Sequence, residues 1–309
     1  MIHYHPIIQH LTGNMDLLRL DLIDKKISGN KWFKLKNNLE KAEAGNFETI
    51  VTFGGAFSNH IAATAAACKK SHLKCVGIIR GEESSALNPT LAKAKQDGMQ
   101  LHFVSREFYS QILKDGSEKY LHDNFGRHYL IPEGGNNEEG VLGCMEILKK
   151  EWDYDYIFCA CGTGTTFAGL VASAKPGQKV IGISVLKGEN KLPLEVQNLL
   201  GSISPGQKNK IQGNEAPEKS WLEDHCILNT YCFNGYAKFD ENLLQFKNDF
   251  ELKHKISLDH IYTSKLLYGV FDLNEKNKLK PGSKILIVHS GGLQGNKGFE
   301  ERYHLTPSL

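Results

Sequence analysis

No apolar run in the chain approaches membrane-spanning length, which excludes a transmembrane helix. The opening residues, Met1-Ile2-His3-Tyr4-His5-Pro6, have no basic stretch leading into an apolar core, so no secretory signal is expected. Charge of one sign is also lacking. The 37 Lys and Arg nearly balance the 35 Asp and Glu, and no basic stripe interleaves with aromatics, so nucleic acid is not an expected partner. Seven cysteines, Cys68, Cys75, Cys144, Cys159, Cys161, Cys226 and Cys232, are scattered without a Cys-x-x-Cys, several within apolar patterns. They read as reduced core thiols of a cytoplasmic protein. His3 and His5 have no carboxylate or cysteine placed to complete a metal site, so no metal is expected. Internal repeats and low-complexity tracts are absent.

What is present is alternation. Glu48–Phe53 is a short apolar run ending in Gly54-Gly55, and Ser58–Lys70 is Ala-rich and helical. Lys74–Arg80 and Leu101–Val104 read as strands, Pro89–Asp97 and Glu118–Phe125 as helices. Tyr129–Ile131 follows as a strand. Glu138–Glu151 reads as one amphipathic helix with Val141, Leu142, Met145, Ile147 and Leu148 on its apolar face. Tyr156–Ala160 and Val180–Val185 are buried-looking strands. Beyond them, residues 187–220 turn polar, and Ile203–Pro217 reads as an exposed excursion. A helix around Asp240–Lys253 and a strand Lys284–His289 close the pattern. Strands alternating with helices indicate parallel sheets covered on both faces, and 309 residues suffice for two domains.

Four loops carry the chemistry. Gly162-Thr163-Gly164-Thr165-Thr166 joins a buried strand to a helix, where glycines turn backbone N–H groups toward an anion and the helix N-terminus adds positive charge. Phe167 holds the place of a third glycine and no Gly-Lys-Ser/Thr follows, so the loop is neither a dinucleotide fingerprint nor a P-loop. Read alone, it could also be a tight turn with a threonine cap. Gly54-Gly55-Ala56-Phe57-Ser58-Asn59 also joins strand to helix, and Ser58 alone could be a plain N-cap. Lys31 follows the Gly29-Asn30 turn at the start of a helix, although spacing does not single it out from Lys25, Lys26, Lys34 and Lys36. His289-Ser290-Gly291-Gly292 follows the last strand. A lysine able to form a Schiff base, a phosphate cradle and hydroxyls for a ring together describe a pyridoxal 5'-phosphate enzyme.

Gly29-Asn30-Lys31 with Lys34, then Gly-Gly-x-x-Ser-Asn at 54–59, resembles the 1-aminocyclopropane-1-carboxylate deaminase/D-cysteine desulfhydrase family. The resemblance continues through Pro132-Glu133-Gly134-Gly135-Asn136, the Gly–Thr loop, Gly235-Tyr236, Asp259-His260-Ile261-Tyr262-Thr263-Ser264-Lys265 and His289-Ser290-Gly291-Gly292. It spans nearly the whole chain and is weakest over about 187–230. It implies an α/β, tryptophan-synthase-β-like fold (fold type II) of two open, mostly parallel sheets with flanking helices. Residues 1–46 and 136–309 would form the larger domain and 47–135 a smaller inserted one, with the cofactor in the cleft between them. The resemblance makes Lys31 the cofactor-bearing lysine and brings Lys34 to the phosphate, which Gly162, Thr163, Gly164, Thr165 and Thr166 would cradle. It gives Ser58 the part of nucleophile or proton handler, has Asn59 bond the ring hydroxyl, and sets Tyr236 and Tyr262 beside the substrate. A homodimer is implied as well.

Departures from the family pattern narrow the activity. Where the cyclopropane-opening enzymes carry Glu after the second tyrosine, this chain has Thr263, and where they carry Leu it has Ser290. The desulfhydrases favour small hydroxyl residues at both places. A carboxylate beside a pyridine nitrogen keeps it protonated and the ring a strong electron sink; a hydroxyl gives a weaker one, sufficient to expel a good β leaving group. After Asn59, Gln is expected in the ring-opening enzymes and His60 stands here. The expected activity is deamination of a small amino acid by D-cysteine-desulfhydrase-like α,β-elimination, giving a 2-oxo acid and ammonia. Ring-opening deamination, racemisation or dehydration on the same fold, and non-catalytic cofactor binding are the alternatives.

Overall fold

A computed structural model describes residues 4–188, 191–208 and 225–305. Among the described residues, ten strands form two sheets: β1 (Ile8–Thr12), β2 (Met15–Arg19), β3 (Thr49–Gly55), β4 (Lys74–Arg80), β5 (Met99–Val104), β6 (Tyr129–Ile131), β7 (Tyr156–Cys161), β8 (Lys179–Ser184), β9 (Cys226–Leu228) and β10 (Ile285–His289). One sheet has the order β1-β2-β10-β7-β8-β9 and the other β5-β4-β3-β6. All neighbours are parallel except β1 and β2. That exception follows from Thr12-Gly13-Asn14. Gly13, at φ +54°, makes a turn too short for a crossover, so the two strands must return antiparallel.

The central strands are apolar almost without interruption. Ile285–His289 is buried throughout, as are Ile157–Cys161 and Cys75–Ile79, as expected for parallel sheets covered on both faces. The helix Asn59–Lys70 covers the smaller sheet with Ala62, Ala63 and Ala65–Ala67, side chains small enough for close packing. Its N-cap is Ser58, whose hydroxyl accepts from the amides of His60 (3.2 Å) and Ile61 (3.4 Å). Such a cap contributes about 1 kcal/mol.

Three helices stack at backbone distance: Asn30–Ala44, Glu138–Met145 and Thr165–Ser173. A Cβ on Gly143 would lie 1.9 Å from the Phe33 carbonyl oxygen, and one on Gly169 would lie 2.4 Å from Cys144 Cβ. The missing side chains bring the lysine-bearing helix beside the Gly–Thr loop.

Two expectations are corrected. The helix read as Glu138–Glu151 ends at Met145. The amides of Glu146 and Ile147 bond back to Gly143 and Cys144, and the resulting turn buries Ile147 under Tyr4, whose hydroxyl donates to the Ile147 carbonyl. The apolar spacing reported burial there, and the burial is met by a turn. Within the polar stretch after 187, Lys191–Gly201 is a helix that buries Leu192, Val196, Leu199 and Leu200. Val196 and Leu192 pack against Gly164, so this helix backs the Gly–Thr loop. Ile203, the first residue of the expected excursion, is also buried, and residues 209–217 of that excursion lie outside the described residues. No helix among the described residues is long and apolar enough to cross a membrane.

Gly143→Ala is expected to destabilise the protein by about 1–3 kcal/mol in urea unfolding, because the helices must move apart. Gly201→Ala, whose Cβ meets nothing within 4 Å, should change stability by less than about 0.5 kcal/mol. Equal effects of the two substitutions would refute the close-stacking account.

Candidate active site

Four of the loops singled out in the sequence leave the carboxyl end of a parallel strand: Gly54-Gly55 at β3, Pro132 after β6, Gly162 after β7 and Ser290 after β10. Open α/β sheets bind ligands at those ends.

The helix Asn30–Ala44 starts from Gly29, at φ +69°. Lys31 Nζ donates to Asn30 Oδ1 (2.9 Å), and Asn30 Nδ2 donates to Thr166 Oγ1 (2.8 Å). Asn30 thereby couples the lysine to the Gly–Thr loop. Lys31 is half-buried, yet its amino end has lost enough hydration, with the Lys34 charge nearby, that its pKa is pushed down to about 7. Burial also lowers the pKa of Lys34, whose Nζ donates to the Gly134 carbonyl (3.1 Å) and lies 3.5 Å from Thr163 Oγ1.

The helix Thr165–Ser173 begins at Gly164, at φ +85°, and no side chain caps it. Its first-turn N–H groups have no partner within the helix. The hydroxyls of Thr163 and Thr165 are committed elsewhere. Thr165 Oγ1 donates to Asn136 Oδ1 (2.8 Å), so in its 3.2 Å contact with Thr163 it must accept. Amides and Lys34 therefore stand as anion-directed donors where Thr163 and Thr165 do not. Tyr262 packs on this loop: a Cβ on Gly162 would lie 3.2 Å from its ring.

Tyr262 and Tyr236 meet edge to face at 6.2 Å. Burial raises the pKa of both phenols, so both stay protonated at neutral pH, although the Tyr236 ring keeps an exposed face. Lys265 anchors the Tyr236 loop by donating to the carbonyls of Cys232 (2.8 Å) and Gly235 (2.7 Å).

Thr263 is fully buried at the start of the helix Thr263–Glu275. Its hydroxyl accepts from the Asp259 amide (2.7 Å) and donates to Asp259 Oδ1 (2.8 Å). Asp259 also accepts from the amides of Ile261, Tyr262 and Thr263. Ser290 is buried, and its carbonyl accepts from the Asn30 amide (3.1 Å). Asn59 lies against Gly292 and Gly295, and its buried Oδ1 has no partner among the described residues. The structure thus ties Lys31 and Lys34 to the Gly–Thr loop through Asn30, Thr166 and Thr163, joins Ser290 to the start of the lysine-bearing helix, sets Asn59 against Gly292 and packs Tyr262 on the Gly–Thr loop. Ser58 stands at the mouth of the helix that carries Asn59.

Sequence reasoning gave no separate role to Asn30, Asn136 or Asp259. Each lies inside one of the motifs. The signal for Asp259 was its place four residues before Thr263, where a carboxylate reaches the first amides of a helix.

A family model described as "Pyridoxal-phosphate dependent enzyme" matches residues 5–291. The chain is 30% identical to a "Putative 1-aminocyclopropane-1-carboxylate deaminase" of Pyrococcus abyssi, over 95% of this chain and 89% of that one. It is 29% identical to a mitochondrial "Bifunctional D-cysteine desulfhydrase/1-aminocyclopropane-1-carboxylate deaminase" of Arabidopsis thaliana, over 90% of this chain and 72% of that one. A crystal structure described as an ACC deaminase homologue superposes with a TM-score of 0.82 at 26% identity, covering 97% of this chain and 93% of its own.

The depressed Lys31 pKa has a thermodynamic consequence. An unfolded lysine titrates near ~10.4. Between about 7 and that value the unfolded chain holds a proton that folded Lys31 has released, so stability without cofactor rises with pH across the window. Lys265, lowered to about 8, acts in the same direction, so the test is a difference between chains. Urea unfolding of cofactor-free protein at pH 7, 8 and 9 should show a shallower rise for Lys31→Met than for the unmodified chain. Parallel curves would place the Lys31 pKa near its ordinary value.

Proposed function

The chain belongs to the pyridoxal-phosphate dependent enzymes, and within them to the 1-aminocyclopropane-1-carboxylate deaminase/D-cysteine desulfhydrase family; from that premise we propose that it deaminates a small amino acid by β-elimination, releasing a 2-oxo acid and ammonia. Its fold is fold type II and its cofactor is pyridoxal 5'-phosphate.

The residues fit that cofactor. The uncapped amides at Gly164–Thr166 with Lys34 suit its phosphate, and the orphaned Asn59 Oδ1 can accept from its ring hydroxyl. Bound pyridoxal phosphate supplies an aldehyde carbon that takes an amine and a conjugated ring that spreads the electron pair left at an amino acid's α-carbon. Lys31 is the residue we assign to carry it and, once displaced by the substrate, to take the α-proton. A base with a pKa of about 7 is half free amine at neutral pH. Ser58 accepts two amide protons as a cap, which leaves its own proton free for a substrate carboxylate at the helix mouth. Tyr236 and Tyr262 flank the substrate as protonated phenols, and Thr263 and Ser290 face the ring as hydroxyls. The division into 1–46 with 136–309 and an inserted 47–135, and a homodimeric assembly, belong to the same proposal.

The observation that carries deamination is the Lys31 amine tied through Asn30 to the loop that suits the phosphate. Elimination is favoured by Thr263, a hydroxyl where ring-opening enzymes carry a carboxylate. Ring opening of 1-aminocyclopropane-1-carboxylate is the second reading. The three proteins compared above all carry that name, one of them beside D-cysteine desulfhydrase, and Asp259 supplies a carboxylate one hydrogen bond behind Thr263.

Assays of 2-oxo acid and ammonia release with D-cysteine, L-cysteine and 1-aminocyclopropane-1-carboxylate separate the readings. The highest kcat/KM is expected with one enantiomer of cysteine; a higher value with the cyclopropane substrate would establish the second reading. Lys31→Ala should lose the visible absorbance of bound cofactor and lower kcat by roughly 10²–10⁴-fold. An unchanged spectrum would move the cofactor to another lysine, Lys34 first.

A further inference from the structure

We propose that Arg80 and Glu133 form a subsite for an amino-acid head group at the far end of the substrate's β-substituent, Arg80 taking its carboxylate and Glu133 its ammonium. The substrate class is then a thioether of cysteine that ends in a second amino acid. The inference deepens the deamination reading above and rests on it.

The two charges stand on either side of Gly55, at the carboxyl edge of the smaller sheet. Arg80 closes β4 as the register partner of Gly55, which ends β3, and Glu133 follows Ile131 and Pro132 at the end of β6. In the strand order β4-β3-β6, Gly55 therefore lies between them. Tyr109, on the helix Arg106–Asp115, holds both. Its ring packs edge to face on Phe53 and carries the Arg80 guanidinium 5.6 Å from its centre. Its hydroxyl donates to Glu133 Oε2 (3.0 Å). Beyond Tyr109, neither charge is used. The Arg80 guanidinium has no hydrogen-bond or ion-pair partner among the described residues, Glu133 Oε1 has none either, and the two do not pair with each other. Opposite charges held near one another yet unpaired suit a ligand that carries the same two charges in reverse.

The space between them is open. A Cβ on Gly55 would meet Arg80 Nη2 at 3.6 Å and, apart from its chain neighbours, no other described atom within 4 Å. Arg80 is exposed, and Glu133 and the loop Gly55–Ser58 are half-buried. The notch adjoins the place given to the substrate. The Gly55 carbonyl accepts from the amide of Ser58 (3.0 Å), the residue assigned above to the α-carboxylate. Tyr236, assigned to flank the substrate, is near enough to sense both charges. Burial is the first cause of its raised pKa, and beside it Glu133 pushes the phenol up while Arg80 pulls it down. A substrate between Ser58 and Tyr236 therefore has the pair beside it, within reach of a tail one amino acid long. Cysteine itself is too short to use it. With lanthionine, the simplest such thioether, elimination breaks the Cα–H bond, its proton going to Lys31, and the Cβ–S bond, its electron pair staying on sulfur. The thiolate takes one proton and leaves as cysteine, and water converts the remaining three-carbon fragment to pyruvate and ammonia.

The test compares four thioethers of cysteine, in both enantiomers, on the holoenzyme. S-methylcysteine has no tail charge, S-carboxymethylcysteine adds a carboxylate, S-(2-aminoethyl)cysteine adds an ammonium, and lanthionine adds both. Release of 2-oxo acid gives kcat/KM for each. Relative to S-methylcysteine of the same hand, each single charge should raise kcat/KM about fivefold, the upper end for an ion pair open to water, and lanthionine should exceed either. Arg80→Met should remove the carboxymethyl advantage and keep the aminoethyl one. Glu133→Gln, which leaves Tyr109 an acceptor, should do the reverse. Lanthionine preferred no more than S-methylcysteine, or charge advantages that survive both substitutions, would overturn the proposal. If Glu133→Gln does not fold, Arg80→Met decides alone, since Arg80 is exposed; a carboxymethyl advantage intact in that variant overturns the proposal. Cysteine that neither shifts the visible spectrum nor yields 2-oxo acid would overturn the deamination reading itself, whereas turnover of cysteine with no gain from either tail charge would overturn only the Arg80–Glu133 subsite.

Discussion

The candidate site depends on a backbone contact between the two ends of the chain. The Asn30 amide donates to the Ser290 carbonyl, and a Cβ on Gly29 would come within 1.8 Å of that same oxygen. On the facing side, a Cβ on Gly291 would lie 2.7 Å from Ser28 Oγ. Both glycines have positive φ, so no other residue fits at either place without strain. The contact fixes where the helix Asn30–Ala44 begins, at the carboxyl end of β10. Because β10 lies beside β7, the same contact sets Lys31 opposite the loop that leaves β7. Residues distant in sequence meet here because two backbones touch without side chains between them.

Parallel strands with helical crossovers were legible in the residues, because continuous apolar runs such as Ile285–Val288 and Val76–Ile79 admit burial on both faces. The loops were legible for a related reason: glycine beside hydroxyl residues at a strand-to-helix junction has few structural explanations. The end of the helix at Met145 was not, since apolar spacing reports which residues are buried and not the hydrogen bonds by which they get there. The role of Lys191–Gly201 was hidden by its charged and polar flanks, and only the packing of Val196 on Gly164 shows what it supports. Within the site, residue types were readable but proton directions were not. Thr163 and Thr165 read as phosphate donors; their protons are used between themselves and on Asn136.

The electrostatics around Lys31 and Lys34 favour an anionic occupant. Lys31 and Lys34 stand close enough that each loses hydration in the same buried space, with the Asp259 carboxylate at a distance as partial compensation. Burying like charges together costs stability unless one is released as a proton or an anion neutralises them. The chain uses the first solution at Lys31, and its uncapped helix terminus beside Lys34 is suited to the second. A ligand that supplies two negative charges at that terminus would convert a destabilising arrangement into a stabilising one, by the ordinary linkage between binding and folding.

Three threonines share one design. Thr52 gives its proton to a backbone carbonyl, Thr165 to Asn136 and Thr263 to Asp259. A free hydroxyl can reorient to suit whatever approaches it; one whose proton is already committed can only accept. Each therefore imposes a polarity on its neighbour: His60 must donate from Nε2, Thr163 must donate to Thr165, and whatever approaches the remaining lone pair of Thr263 must bring a proton. If that approaching group is the pyridine nitrogen of the cofactor, it must be protonated to bond at all, and Asp259 rather than Thr263 is the charge that holds the proton there. The difference between a carboxylate and a hydroxyl at position 263 is then smaller than the residue names suggest. Substrate choice falls correspondingly more on the groups that meet the amino acid itself.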